Sequence, residues 1–178
     1  MAALQEEHFQ GADMPTIDPS LRPGKVSKWG EWVKSKPLVV NGAESRWRIL
    51  GKYDLVSTND DGTIGLIDCK VSDSQRDSGQ FYSPQLEAYA YALENPAAGK
   101  SQSVASMGLL VWRPTTAIGS NANEYGFGVM QKYVPVERDQ ANFLKVIGEF
   151  IEVLEGELPD AGSECQTCTY LVARNALD

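Results

Sequence analysis

Residues 47–71 read WRILGKYDLVSTNDDGTIGLIDCKV, and the way this stretch folds back on itself decides the architecture. Two β-rich runs, 47–58 and 63–71, flank Asn59-Asp60-Asp61-Gly62, which has the composition of a turn. A three-residue loop Asp60-Asp61-Gly62, with Gly62 in the left-handed position of a G1 bulge, pairs Asn59 with Thr63. Counting back from that pair sets Asp54 opposite Asp68, with Cβ atoms roughly 4.5–5.5 Å apart, and projects Lys70 from the same face. Like charges facing each other across a ladder are destabilising, so the pair calls for a compensating partner.

A divalent cation is one such partner. Mg²⁺ binds through one or two carboxylates while keeping waters and taking substrate phosphate oxygens, and two adjacent aspartates on a rigid hairpin offer that arrangement. The Lys70 ammonium beside them could orient or help deprotonate an attacking water, or neutralise charge developing on a phosphate. The competing reading is a solvated sheet face with Lys70 as counter-charge. Further along, Ser83-Pro84 followed by QLEAYAYALEN predicts a helix, with Ser83 as N-cap, Pro84 at the first helical position and Asn95-Pro96 closing it. Gln85 and Tyr89 fall four apart on one stripe of that helix. Taken alone, Tyr89 reads equally as a core aromatic and Gln85 as a surface amide.

Gly51-Lys52-Tyr53-Asp54, Ile67-Asp68-Cys69-Lys70 and Gln85-Leu86-Glu87-Ala88-Tyr89 together resemble the PD-(D/E)xK nuclease superfamily, in particular its RecB-type branch, to which the CRISPR-associated four-cysteine exonucleases are related. The family pattern is a glycine-x-x-aspartate strand, an aspartate/glutamate-x-lysine strand and a helix bearing glutamine-x-x-x-tyrosine. All three occur here in order, within a core covering residues 46–113. The resemblance implies a restriction-endonuclease-like α/β fold in which Asp54 and Asp68 bind Mg²⁺ or Mn²⁺. It makes Lys70 the catalytic lysine, with Gln85 and Tyr89 supporting the site or contacting DNA. RecB-type enzymes also carry a histidine or glutamate on a helix upstream of the hairpin, for which His8, Glu31 and Glu44 are the candidates. The iron–sulfur members use one early and three late cysteines, whereas this tail has only Cys165 and Cys168, too few to close a four-ligand site. No iron–sulfur cluster is therefore expected. The tail reads as a relic of that clasp, with Tyr170 and Leu171 packing on the core.

Composition fits one intracellular globular domain over residues 1–178, which the resemblance makes nuclease-like, with an irregular Pro/Gly/Asp-rich arm at 1–24 and a C-terminal tail at 156–178. No signal peptide or membrane-length apolar run is read, and three cysteines do not make a disulfide framework, so the expectation is a cytoplasmic protein. After the Gln85/Tyr89 helix, VASMGLLVW reads as a strand buried on both faces and ended by Arg113-Pro114. A loop containing TTAIGSNAN leads to a strand at YGFGVMQKYVPV. A helix near 139–155 then sets Phe143, Val146, Ile147, Phe150, Ile151 and Leu154 at core spacing. The expected fold is a mixed central sheet flanked by helices, with the usual right-handed crossover laying the Gln85/Tyr89 helix over the sheet.

The formal charge of −8 runs against DNA binding, which draws much of its affinity from phosphate contacts. Its distribution is uneven. Residues 22–52 hold eight basic side chains against Glu31 and Glu44, a net +6 that leaves −14 for the remainder. Lys25, Lys28, Lys34 and Lys36 are accordingly candidates for substrate binding, against the alternative of a solvated mixed face. Part of this stretch, KVSKWGEWVKS, reads as helical, with Glu31 on its surface. Trp29, Trp32 and Trp47 could stack on unpaired bases, although buried roles are favoured. The resemblance, taken with the aspartate pair and Lys70, implies a Mg²⁺- or Mn²⁺-dependent deoxyribonuclease; exonucleolytic or single-strand action follows from the resemblance alone, and a helicase or other repair or defence protein is an expected partner. The alternative is a catalytically degenerate subunit that binds nucleic acid or a partner without cutting.

Overall fold

The computed structural model describes residues 2–72, 79–121, 124–157, 162 and 164–176. The chain divides into two compact units, Met1–Phe143 and Leu144–Asp178. Helices α1 (Ala2–His8) and α2 (Met14–Ile17) come first, where the sequence reads as an irregular arm. Strands β1 (Gly24–Trp29), β2 (Trp32–Lys34), β3 (Val39–Val40), β4 (Ala43–Glu44), β5 (Leu50–Lys52), β6 (Leu55–Asn59) and β7 (Ile64–Val71) follow. Helix α3 (Gly79–Glu94), strands β8 (Val104–Asn121) and β9 (Glu124–Val136), and helices α4 (Gln140–Glu155) and α5 (Gln166–Asn175) complete the order.

The main sheet has five strands in the order β1-β6-β7-β8-β9. Only β7 and β8 are parallel, joined through α3; the other neighbours are antiparallel. The result is the mixed α/β sheet expected from the sequence. The β6–β7 register is also as read: Leu55 lies opposite Ile67 and Thr58 opposite Ile64, Thr63 accepts from the Asn59 amide at 2.9 Å, and Gly62 has φ +81°. Alternation along β7 then sends Leu66 to one face, where it packs with Val56, Leu86, Ala90 and Leu109 beneath α3. Ile67 and Cys69 go to the other, with Leu55, Leu110, Phe9 and Met14 beneath α1 and α2. Both faces of the central strands are therefore sealed, which explains the near-continuous apolar runs of β7 and β8.

Several expectations change. KVSKWGEWVKS is not a helix but β1, a turn at Gly30 with φ +57°, and β2. The single strand expected over 47–58 is two, because the chain leaves β2's partner β5 and enters β6 at Tyr53-Asp54. Helix α3 begins at Gly79, so Pro84 lies inside it rather than at its first position. Arg113-Pro114 does not end β8: the strand runs to Asn121, paired with β9 throughout. Proline is tolerated there because β7 stops at Val71, opposite Trp112, so the Pro114 edge has no β7 neighbour. A register shift marks the spot.

Buried Glu87 accepts both oxygens' bonds from Arg138 Nε at 3.1 Å, and Arg138 also grips Glu94 at 3.0 and 3.1 Å. This fork ties α3 to the segment leading into α4. In α4, Phe143 and Ile151 are buried as expected, but Phe150 and Leu154 are exposed. Tyr170 and Leu171 of α5 are likewise exposed rather than packed, and no described residue of α5 is buried.

Candidate active site

Asp54 stands in the break between β5 and β6, where its carbonyl accepts from Gly30 N at 2.9 Å and its Oδ2 from Cys69 N at 2.6 Å. One backbone anchor ties it to the turn between β1 and β2, the other to β7. Asp68 is 2% exposed, and its Oδ1 accepts from Gln85 Nε2 at 3.0 Å. The same amide nitrogen donates to the Tyr89 hydroxyl at 3.1 Å. Lys70 Nζ lies 2.6 Å from Asp68 Oδ2 and 4.5 Å from the Tyr82 ring centroid. Thus Asp54, Asp68, Lys70, Gln85 and Tyr89, named from three separated segments, meet on the α3 face of the sheet.

Gly51 has a packing reason. A Cβ there would meet Tyr89 Cε1 at 2.5 Å, so the bare backbone lets the tyrosine ring lie against β5 and reach Gln85.

Burial pushes the Asp54 carboxyl above the usual carboxylate range, opposed by the Cys69 amide and by Lys70. Burial likewise raises Asp68, against the pull of Lys70 and with help from the Asp54 charge. For Lys70, burial favours the neutral amine, but the Asp68 contact outweighs it and the net shift is upward. The lysine is therefore held as an ammonium, suited to stabilising anionic charge rather than to accepting a proton.

The donor set fits a hard divalent cation. Asp68 Oδ2 is buried with the Lys70 ammonium at 2.6 Å as its close partner, and a carboxylate oxygen has a second lone pair left to offer a cation beside the Asp54 carboxylate. Among the described residues no three His, Cys, Asp or Glu side chains converge in a ready cluster.

The upstream candidates lie elsewhere. His8 is exposed and stacks edge-on with Phe9 and Trp112, at 4.7 and 5.9 Å between centroids. Glu31 accepts from the Tyr53 hydroxyl at 2.8 Å, and Glu44 is exposed on β4. The upstream acid that feels Asp54 is Glu6 of α1, raised by burial and then by the Asp54 charge, and lowered by Lys52. Sequence reading passed over it, yet AALQEEH is built of strong helix formers, and Gln5 and Phe9, four apart, are its buried stripe. Gln5 Nε2 donates to Leu110 O at 3.2 Å and so seats α1 on the sheet, with Glu6 next along the helix.

Of the four lysines, Lys25 pairs with Asp13 at 3.5 Å on the exposed surface, while Lys28 reaches Gln102 Oε1 at 3.4 Å. Lys34 and Lys36 are exposed. Trp32 is 71% exposed, contrary to the buried role favoured for it.

The family model for the PD-(D/E)XK nuclease superfamily matches residues 7–173. The chain belongs to that superfamily. The superfamily is one of nucleases, which generally use divalent metals. Among solved structures, the crystal structure of SSO0001 is similar at 18% identity with a TM-score of 0.46, over 82% of this chain and 58% of that one. The chain thus spans little more than half the length of that structure. No curated protein matched. None of the described helices is long and apolar enough to cross a membrane.

Proposed function

We propose that this superfamily member is a RecB-type deoxyribonuclease that hydrolyses phosphodiester bonds with Mg²⁺ or Mn²⁺ held by Asp54 and Asp68. The observation that carries the reading is the buried Asp68 carboxylate, shared between Gln85 on one oxygen and Lys70 on the other, beside a second carboxylate pinned by backbone. A buried carboxylate facing a half-buried one carries an electrostatic cost that a divalent cation would relieve. When bound, the metal supplies Lewis acidity and an activated water.

The chain's own residues divide the remaining work. Lys70, an ammonium 2.6 Å from Asp68, stabilises the charge that builds on the phosphate. Gln85 orients Asp68 and is itself oriented by Tyr89. Glu6 takes the place of the upstream acid in the RecB-type pattern, and Lys52, coupled to Glu6 and Asp54, adds positive charge at the mouth. Exonucleolytic or single-strand action, a cytoplasmic setting and a helicase or other repair or defence protein as partner complete the proposal, on the strength of the RecB-type resemblance. Labelled single- and double-stranded DNA incubated with Mg²⁺, Mn²⁺ or chelator tests it: metal-dependent shortening of DNA is expected, and cleavage that persists in chelator would sink the mechanism.

A further inference from the structure

We infer that the cleft between β2 and the segment following α3 is a subsite for one unpaired nucleobase and its phosphate, seating a single strand against the aspartate pair. The inference rests on the nuclease reading above but stands on different residues. The cleft has a volume of about 270 Å³ and is lined by Lys28, Glu31, Trp32, Tyr53, Lys100 and Gln102 among others. That is just under the ~300 Å³ at which pockets for drug-sized ligands begin, so it admits a single planar ring system and not a duplex.

Each feature of such a ligand has a counterpart. The Trp32 indole at the rim is open for stacking. Lys28 and Lys100 offer two ammonium groups against one carboxylate, a local positive balance in a chain of net charge −8. Glu31, steadied by the Tyr53 hydroxyl, and the Gln102 amide can accept from and donate to a base edge. The walls are pinned by backbone: Lys36 N donates to Asn95 O and Ala97 N to Lys34 O, both at 2.8 Å. This fixes β2 against the loop after α3. Tyr53, which lines the cleft, immediately precedes Asp54 in the chain, so the cleft and the aspartate pair are placed by the same turn from β5 into β6.

Binding of fluorescein-labelled oligo-dT in chelator, followed by anisotropy across a salt series, separates this subsite from catalysis. Trp32→Ala is expected to weaken single-strand affinity about tenfold or more, with Trp32→Phe retaining most of it. Tyr170→Ala, another exposed aromatic, should have no effect. The Trp32→Ala loss should vanish on an abasic strand and on blunt duplex, because neither presents a free base. Lys28→Gln and Lys100→Gln should each lower the log–log salt slope by about 0.7. Free dTMP should compete only weakly if the strand, rather than a released nucleotide, is the natural occupant. Unchanged affinity in Trp32→Ala of wild-type thermal stability, or an equal loss on the abasic strand, overturns the subsite. Failure of the nuclease reading has a separate signature, intact DNA with metal present.

Discussion

The β6–β7 hairpin and residues 22–52 lie side by side in the first unit and are built on opposite terms. In the hairpin every chemical group is held by something else: Asp54 by two backbone bonds, Asp68 by Gln85 and Lys70, Gln85 by Tyr89, and the strands by cores on both faces. In residues 22–52, β2 to β5 are only two or three residues long, and Lys25, Lys34, Lys36 and Trp32 stand exposed. Ion pairs there are worth little; the Lys25–Asp13 contact, largely solvated at 3.5 Å, is of the class that contributes about 0–1 kcal/mol. The hairpin is suited to precise chemistry, which needs preorganised groups. The flanking segment is suited to contact with a flexible polyanion, which needs reach and charge.

The sharpest way to break that contrast is to remove the pair's second carboxylate. Asp68→Asn keeps the shape and an oxygen for Gln85 while deleting a metal ligand and the like charge beside Asp54. Cleavage is expected to fall below detection in a gel assay, while the metal-free melting temperature stays nearly level, since relief of the Asp54–Asp68 repulsion offsets loss of the Lys70–Asp68 ion pair. Retained cleavage would make Asp68 dispensable and remove the hairpin's special status. Lys70→Gln comes next. Turnover at saturating metal should drop by roughly 10²–10³, the scale of losing one charge-stabilising donor, with the metal's affinity little reduced. If metal affinity collapses and turnover at saturation is normal, Lys70 serves the fold alone.

A third variant asks how tightly the hairpin's support is packed. Gly51→Ala places a Cβ 2.5 Å from the Tyr89 ring, and since the ring is half-buried between β5 and α3 it has little room to retreat. A loss of about 1–3 kcal/mol in chemical denaturation is expected, together with reduced activity as Tyr89 and Gln85 shift. Wild-type stability would mean that Tyr89 swings freely.

The same contrast decided what could be read from the sequence. The register of β6 and β7 follows from turn chemistry at Asp60-Asp61-Gly62, so the positions of Asp54, Asp68 and Lys70 were local information. Gln85 and Tyr89 followed from helix spacing. Glu6 did not, because its approach to Asp54 depends on how α1 docks through Gln5 onto Leu110, more than a hundred residues away. The split of 47–58 into β5 and β6 was hidden for a related reason: β5's partner is β2, in a stretch whose mixed charges and Gly30 turn were read as helical. The persistence of β8 past Pro114 depends on β7 ending early, a fact of the sheet and not of the proline. The start of α3 at Gly79 stands against the N-cap read at Ser83: Ser83 and Pro84 both lie within the helix.

The smallest effect is the most specific to the buried pair. Asp54 and Asp68 both have folded-state pKa values raised above the ordinary 3.8, chiefly by burial. Between 3.8 and those raised values the folded protein therefore binds more protons than the unfolded chain, and stability must fall as pH rises through that window. In chelator, this pair's contribution should favour the folded state on the acid side of the raised values and cease to change below 3.8. Divalent metal should act in the opposite sense, because it binds the ionised carboxylates: its stabilising shift should be largest near neutrality and shrink as acid protonates the pair. Melting curves with and without Mn²⁺ across this range read both trends, and Asp68→Asn should flatten each. A metal-induced shift that is independent of pH, or unchanged in Asp68→Asn, would mean that the cation binds away from the hairpin and that the buried aspartates have a purely structural reason for facing each other.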